Sequence, residues 1–533
     1  MKKAKNTISD IWLITREYDG LAGAGGVKDV CRQLAQELSR SARVSVCLPL
    51  YGFMTPQPHG FRLLDQFQVD MNYVSKERRE DVRIWCKQTT SDTNDLTLYL
   101  VDSPRFQEKK SVYTYTLEEE VEDPTHIQGS GHYDYFTMNI LLQKSAINLM
   151  LLLNERPDVI HCHDGHTALI PTMVRENEGY RHFFRNTGLV VTIHNAGSGY
   201  HQEVSDLPFA KSITGLPGNI VAKNLLDGRF DPFIAASSYA VLNTVSENYA
   251  RELRETNDDE LTDWLGHLLA SRGVTLSGIT NGISPDDFDP SHPEKTGIAA
   301  AYSPESGDFK GKEVCKRDLI RAITKKELSS VQVYGSLSAK QNLPLLTLIG
   351  RFSPQKGVDK LVGALETLLP MDDGFQVVIL GTGSKEIEEG LIRLSEMKAN
   401  KGRICILIGY DPLLANRIYA AGDFFLIPSR YEPCGLTDYI AQLFGSLPIV
   451  HHIGGLVKVI DSKTGFVYHD HSSAALMGAI QRALQVYRQK PTQIRKMQKT
   501  AIKTIKEHYT WNKVVQRYLK LYASAVKLSK EKI

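Results

Sequence analysis

The sequence contains no Cys-x-x-Cys pair, and its cysteines, Cys31, Cys47, Cys86, Cys162, Cys315, Cys405 and Cys434, are scattered and odd in number. A disulfide framework and a structural zinc site are therefore not expected, and a reducing compartment is. No stretch approaches the ~18 consecutive apolar residues that read as a membrane span. The basic start, MKKAK, is followed only by the short apolar run Ile11–Ile14, too little for a signal-peptide core. Neither sign of charge is in excess: 63 Lys and Arg face 61 Asp and Glu, a formal net charge of +2. Nothing there calls for nucleic acid or a membrane surface as partner. No solenoid repeat and no low-complexity tract is visible. These absences predict a soluble, cytoplasmic protein. What is present is length: 533 residues, 42% of them hydrophobic, enough at roughly 100–200 residues per domain for two to four domains.

Short apolar runs alternate with longer segments of helical period. Candidate strands are Ile11–Thr15, Val44–Leu48, Leu96–Val101, Val159–Cys162, Leu189–Ile193 and Ala240–Thr244, then Leu345–Ile349, Gln376–Leu380, Ile404–Ile408 and Phe424–Ile427. Val27–Arg40 and Val358–Leu369 read as intervening helices. The strands carry near-continuous apolar residues in place of alternating ones, as strands buried on both faces need. Strand–helix–strand repetition predicts parallel sheets wrapped by helices, an α/β fold. Two such series occur, separated near residue 283 by a segment punctuated by Pro285, Pro290, Pro293 and Pro304. Asn512–Lys530 has apolar residues at helical spacing and reads as an amphipathic helix. Two doubly wound Rossmann-like domains facing across a deep cleft are expected, with ligands beyond the carboxyl ends of the strands.

The chemistry-bearing residues fall there. Arg16 and Glu17 precede the loop Gly20–Gly26, whose glycines allow backbone N–H groups to approach an anion at a helix start; the other reading is an ordinary tight turn. His161-Cys162-His163-Asp164-Gly165-His166 follows the fourth strand. Its spacing matches no common zinc signature, so a polar substrate-lining turn is favoured over a metal site. Core-satisfied histidines with Asp164 as an N-cap is the third reading. Thr192-Ile193-His194-Asn195 and Asn281-Gly282 are further strand-end turns. Gly350-Arg351…Lys356-Gly357 sets two cations on a loop opening a helix, where a guanidinium fork and an ammonium converge on a diphosphate. Gly381 and Gly383 form a second glycine turn, and Glu432 stands in Ser429-Arg430-Tyr431-Glu432-Pro433-Cys434-Gly435-Leu436-Thr437 before a helix. Glu432 is read either as stabilising the helix dipole or as gripping a polar neutral ligand.

On these residues the chain resembles bacterial glycogen synthases and plant starch synthases, retaining glucosyltransferases of the GT-B fold, from about Ile11 to Trp511. PSRYEPCGLTDYIAQLFGSLPIVHHIGGL (428–456) is the most specific segment; HCHDGH, TIHN, GITNGI, GRFSPQKG, GTGS and IGYD share the family's order and spacing. The resemblance implies an acceptor-side domain at 1–283, a nucleotide-sugar-binding domain at 284–505 and a C-terminal helix at 506–533 packing back on the first. It implies that Arg351 and Lys356 clamp the donor diphosphate and that Glu432 holds hydroxyls of the transferred glucose. Cys434, Gly435, Leu436 and Thr437 would line the sugar and phosphate end, with Tyr410 by the nucleobase. Gly25 and Gly26 would approach the phosphates, Gly381 and Gly383 would cradle them, and Asp164, His194, Asn281 and Glu17 would lie near the reacting sugar and acceptor. The expected partners are a nucleotide-sugar donor, ADP-glucose favoured over UDP-glucose, and an α-1,4-glucan acceptor, with no cofactor and no metal.

Three departures stand in the N-terminal half. The family's Lys-Thr/Val-Gly-Gly loop reads Gly23-Ala24-Gly25-Gly26, with Lys28 or Arg16 as possible replacements for the lysine; HDWH reads His163-Asp164-Gly165-His166; and the family's L-A-Y-Q-G reads Ala196–Tyr200. Two rival readings are another GT-B transferase with a different donor or small acceptor, and a glucan-binding relative that has lost activity.

Overall fold

The structure is a computed structural model and describes residues 8–91, 94–197, 199–339 and 343–531; Ser198, in the third departure, lies outside them. The chain forms two compact units, Met1–Gly282 with Trp511–Ile533, and Ile283–Thr510.

The first unit is built on nine strands: β1 (Asp10–Ile14), β2 (Arg43–Pro49), β3 (Arg62–Asp70), β4 (Arg79–Ser91), β5 (Asn94–Asp102), β6 (Val159–His163), β7 (Gly188–Ile193), β10 (Val241–Thr244) and β11 (Ser277–Gly278), with β8 (Leu225–Leu226) and β9 (Arg229–Phe230) forming a separate ribbon. The sheet order is β11-β10-β7-β6-β1-β2-β5-β4-β3. Strands β11 to β5 are parallel, and their apolar residues are buried because helices cover both faces. The expectation of purely parallel sheets is corrected at the edge, where β5-β4-β3 is an antiparallel meander. β3 is mostly exposed and interleaves polar and apolar residues, so it lacks the apolar run that marks a central strand.

The last helix, Trp511–Glu531, belongs to this unit and buries Trp511, Val514, Val515, Tyr518 and Tyr522. Trp511 Nε1 donates to Gln33 Oε1 at 2.6 Å. A Cβ on Gly282 would stand 2.8 Å from the Trp511 ring, so the Asn281-Gly282 turn is shaped to receive the indole.

The second unit carries β12 (Gln332–Leu337), β13 (Leu345–Ile349), β14 (Gln376–Gly381), β15 (Arg403–Ile408), β16 (Phe424–Ile427), β17 (Leu447–His451) and β18 (Phe466–Tyr468), in the order β12-β15-β14-β13-β16-β17-β18. All pairings are parallel except β12 with β15. The helix Val358–Met371 packs its Leu361, Leu365 and Leu368 against Val377 and Ile379 of β14 in one core cluster. Both units are thus Rossmann-like α/β layers. Each positions loops at the carboxyl ends of its central strands. Among the described residues no helix is long and apolar enough to cross a membrane.

Candidate active site

In the second unit, β13 leads into Gly350 and Arg351, and the short 3-10 turn Pro354–Lys356 starts because Ser353 accepts from the Lys356 N–H. Gly357 then adopts φ +65°, and a Cβ on it would lie 1.9 Å from the Pro428 carbonyl. That close approach brings the loop after β13 beside the loop after β16. Its result is one ion pair: Lys356 Nζ meets Glu432 Oε2 at 2.6 Å, while Ser429 Oγ donates to the same oxygen at 3.0 Å. Glu432 is only 9% exposed. Burial alone would raise its carboxyl, but the Lys356 ammonium and hydrogen bond outweigh burial and hold it below the usual carboxylate range. The group is therefore an ionised acceptor at neutral pH, suited to neutral hydroxyls and not to a phosphate.

The glycines around it answer to backbone contact. Gly454, at φ +54°, would place a Cβ 1.9 Å from the Glu432 carbonyl, and Gly455 one 2.1 Å from the Cys434 carbonyl; the Gly455 N–H donates to Glu432 O at 2.9 Å. The Gly454-Gly455-Leu456 turn thus clasps the segment 432–434. Cys434 and Gly435 are buried, and Leu436 and Thr437 half-buried, at the start of the helix Thr437–Leu443. Gly381 and Gly383 serve packing as well. A Cβ on either would fall within 2.2 Å of the Gly350 or Phe352 carbonyl, and the Gly383 N–H is taken by Glu388 Oε1 at 2.8 Å. Gly383 in this state offers no free donor to a ligand phosphate. Tyr410 is 78% exposed beside Gly409, whose N–H reaches Gly381 O at 3.2 Å; an open aromatic ring there suits stacking. Arg351 is exposed.

In the first unit, the polar groups converge beyond β1, β6 and β7. Asp164, at φ +59°, turns its carboxylate onto the N–H groups of His194 (2.7 Å) and Asn195 (3.4 Å). It ties the β6 turn to the β7 turn and is not the helix N-cap that one sequence reading allowed. Burial pushes its carboxyl up to about 8, against the pull of those two N–H groups. His163 Nδ1 and His194 Nε2 are 2.9 Å apart, and the His161 and His163 rings lie 4.3 Å apart. Burial depresses all three imidazoles, His161 and His194 to about 3. They are neutral at pH 7 and supply hydrogen bonds in place of charge. No group of three or more His, Cys, Asp or Glu among the described residues is placed to hold a metal. Asn281 is buried with its Oδ1 unpartnered among the described residues.

The glycine loop is occupied by the chain itself. Glu17 Oε2 accepts from the N–H groups of Ala24 (2.7 Å) and Gly25 (3.1 Å), and Oε1 accepts from Tyr113 Oη at 2.6 Å. The anion that the loop was expected to meet is thus an internal carboxylate here. Neither candidate for the absent lysine is idle. Lys28 lies across Gly23, its Cδ 2.3 Å from where a Cβ would be, and its Nζ pairs with Asp19 at 2.8 Å and Asp29 at 3.2 Å. Arg16 is buried on Tyr51 Oη, Asn139 Oδ1 and the Val112 carbonyl. At Gly165 a Cβ would lie 2.2 Å from the His201 carbonyl oxygen and 2.8 Å from that of Tyr200, so this backbone leaves no room for a side chain at the position where the family has tryptophan. Tyr113 enters the site without a motif to announce it; only its partner in space, Glu17, identifies it.

His201 ties back to Ala196: its Nδ1 lies 2.7 Å from Asp231 and its Nε2 lies 2.7 Å from the Ala196 carbonyl. Burial disfavours the charged ring, but the Asp231 hydrogen bond and charge outweigh it and hold His201 at about 9. A folded-state value above the unfolded one means this stabilisation is complete below about pH 6.5 and fades as pH rises through about 9. Unfolding free energy is expected to fall by up to ~3 kcal/mol across that window. In His201→Asn, thermal melts at pH 6.5, 8 and 9.5 should show a markedly flatter dependence.

Comparison with known proteins matches these two units separately. Residues 10–267 match the starch synthase catalytic domain and residues 335–503 the glycosyl transferases group 1 model. The glycogen synthase of Geotalea daltonii is 30% identical, over 96% of this chain and 98% of that one, and that of Anaeromyxobacter sp. is 29% identical over 97% and 99%. Among solved structures, the catalytic domain of starch synthase IV from Arabidopsis thaliana, bound to ADP and acarbose, superposes with a TM-score of 0.78 at 25% identity, covering 98% of this chain and all of that one. Sucrose-phosphate synthase from Thermosynechococcus elongatus shares the fold at a TM-score of 0.56 and 17% identity, covering 97% and 98%. With near-full-length relatives at this identity and both halves matched in order, the chain is a glycosyltransferase of the GT-B class and belongs to the glycogen synthase family.

Proposed function

We propose that the chain transfers glucose from ADP-glucose to the non-reducing end of an α-1,4-glucan with retention of configuration, in the cytoplasm. The observation that carries this reading is the Lys356–Glu432 pair, a buried carboxylate kept ionised by an ammonium, on the loop that follows Arg351. A carboxylate of that kind accepts from glucose hydroxyls, while Arg351 and Lys356 stabilise the diphosphate that leaves. The ADP held by the Arabidopsis starch synthase, and its acarbose, support an adenine nucleotide and a glucan-like acceptor. Domain 284–505 then carries the donor and domain 1–283 the acceptor, through Asp164, His194 and Asn281; of the expected C-terminal segment 506–533, the helix Trp511–Glu531 belongs with the first and residues up to Thr510 with the second. Gly25, Gly26 and Glu17 shape the N-terminal loop. Cys434–Thr437, with Gly381, Gly383 and Tyr410, shape the donor end.

In the transfer, the bond from the anomeric carbon to the phosphate oxygen breaks and the diphosphate leaves with the electron pair. The acceptor hydroxyl oxygen bonds to the same carbon from the same face, and its proton passes to the leaving phosphate. Preorganised cations at the developing anion are the largest contribution to such catalysis. Double displacement needs a carboxylate nucleophile close to the anomeric carbon, and Glu432, held to Lys356 and Ser429, is committed to hydroxyl binding. Proton NMR of the first product will show an α-anomeric linkage, and mass spectrometry of the protein during turnover will show no glucosyl adduct on Glu432. A trapped adduct contradicts front-face transfer, and a β-linked product contradicts retention.

A further inference from the structure

Beneath the 432–437 turn lies a second ammonium that no motif marks. Lys458 is 5% exposed in its side chain, and its Nζ donates to the carbonyls of Cys434, Gly435 (2.8 Å) and Gly455 (3.0 Å). The same nitrogen stands 3.1 Å from Asp438 Oδ1 and 4.5 Å from the centre of the Tyr439 ring. Asp438 is fully buried and is itself held by Gln442 Nε2. An ammonium so enclosed has lost its water, and carbonyls and one carboxylate have replaced it.

The geometry has a consequence on the opposite side of the turn. A trans peptide is planar, so its N–H points away from its C=O. With the Cys434 and Gly435 carbonyls drawn down onto Lys458, the N–H groups of Gly435 and Leu436 point away from the ammonium. Neither N–H has an acceptor among the described residues. Gly435 sits at φ +71°, and a Cβ on it would meet Leu456 Cδ2 at 2.8 Å, so the peptide flip that frees these donors requires glycine. Lys458 also lends its charge to Glu432 from below.

We propose that Lys458 is a positioning residue: by gathering three carbonyls it fixes the Gly435 and Leu436 N–H groups outward as a preformed donor pair for the phosphate group that leaves. The proposal rests on the glucosyl-transfer reading, which it extends to a residue that touches no substrate. Glycine permits the conformation, and the buried cation selects it.

Lys458→Gln combined with Asp438→Asn removes both buried charges together and keeps polar groups of similar size. For that double variant, ADP affinity by calorimetry should fall at least about tenfold and kcat with ADP-glucose by about 10²-fold. The KM for a maltooligosaccharide acceptor should change less than about twofold, a split that general destabilisation would not give. ADP affinity and kcat within about twofold of the parent overturn the proposal. Should the double variant fold poorly, the parent protein decides: on adding ADP, the Gly435 and Leu436 amide resonances will shift downfield. Resonances that stay still while ADP binds overturn it. ADP binding without any glucosyl transfer by the parent would refute the activity reading alone and leave this one standing.

Discussion

Glu432→Ala is expected to reduce turnover by about 10²–10³-fold or more, and Lys356→Ala by a comparable factor, with both proteins folded. Each variant breaks the same half-buried pair from a different side. Without Glu432, the Lys356 ammonium loses its partner at 2.6 Å and swings free, and the glucose hydroxyls lose their ionised acceptor. Without Lys356, the diphosphate loses a cation. Glu432 then keeps only the Ser429 hydrogen bond and the more distant Lys458 charge against its burial, so its carboxyl moves upward. The two variants thus differ in a measurable way. The residual activity of Lys356→Ala should have its acid limb displaced to higher pH, while Glu432→Ala loses that dependence. Initial rates of nucleotide release from pH 5 to 9 check this, and equal, unshifted profiles for parent and Lys356→Ala would refute the electrostatic account of the pair.

Gly454→Ala is the second large effect, at a residue that has no side chain. At φ +54° an alanine pays ~1–2 kcal/mol in backbone strain. Its Cβ would also lie 1.9 Å from the Glu432 carbonyl oxygen and 2.8 Å from the carbonyl carbon, contacts that only backbone movement relieves. The displaced atoms belong to Glu432 itself, and a misplacement of about 1 Å at a reacting centre costs about 10² in rate. A fall in kcat of at least about 10²-fold and a lower melting temperature are expected together. Gly478 provides the control. It lies in the helix Ser473–Gln489 with nothing within 4 Å of its would-be Cβ. Gly478→Ala should leave turnover alone and stabilise by up to ~1 kcal/mol.

The parts of this fold that are legible in the sequence are those in which one local cause suffices. The strands β1, β2, β6, β7, β13 and β14 are buried on both faces, so each is largely apolar, without polar–apolar alternation, and that marks it. β3 and β12 sit at sheet edges, where polar residues are tolerated, and their antiparallel pairing leaves no comparable trace. In the site, Lys356 and Glu432 stand in motifs, but the 2.6 Å contact joins residues 76 positions apart. Gly454 and Gly455 read as a turn. Their reason, the approach of the 432–434 backbone, is tertiary. The Gly23 loop shows the same limit: that Lys28 covers Gly23 and is paired to Asp19 and Asp29 follows from side-chain direction. Spacing carries no such information. The near-balance of charge in the composition also acquires a physical sense. On the proposed reading, a neutral glucan needs no basic face, and the cations that act are local, at Arg351, Lys356 and, buried, Lys458.

The most direct test of glucosyl transfer from an adenine nucleotide sugar to a glucan incubates the purified protein with glycogen and either ADP-glucose or UDP-glucose and follows nucleotide release. The account predicts ADP release that depends on added glycogen and is faster than UDP release, with Glu432→Ala silent under the same conditions. Absence of glycogen-dependent release from both donors would contradict it.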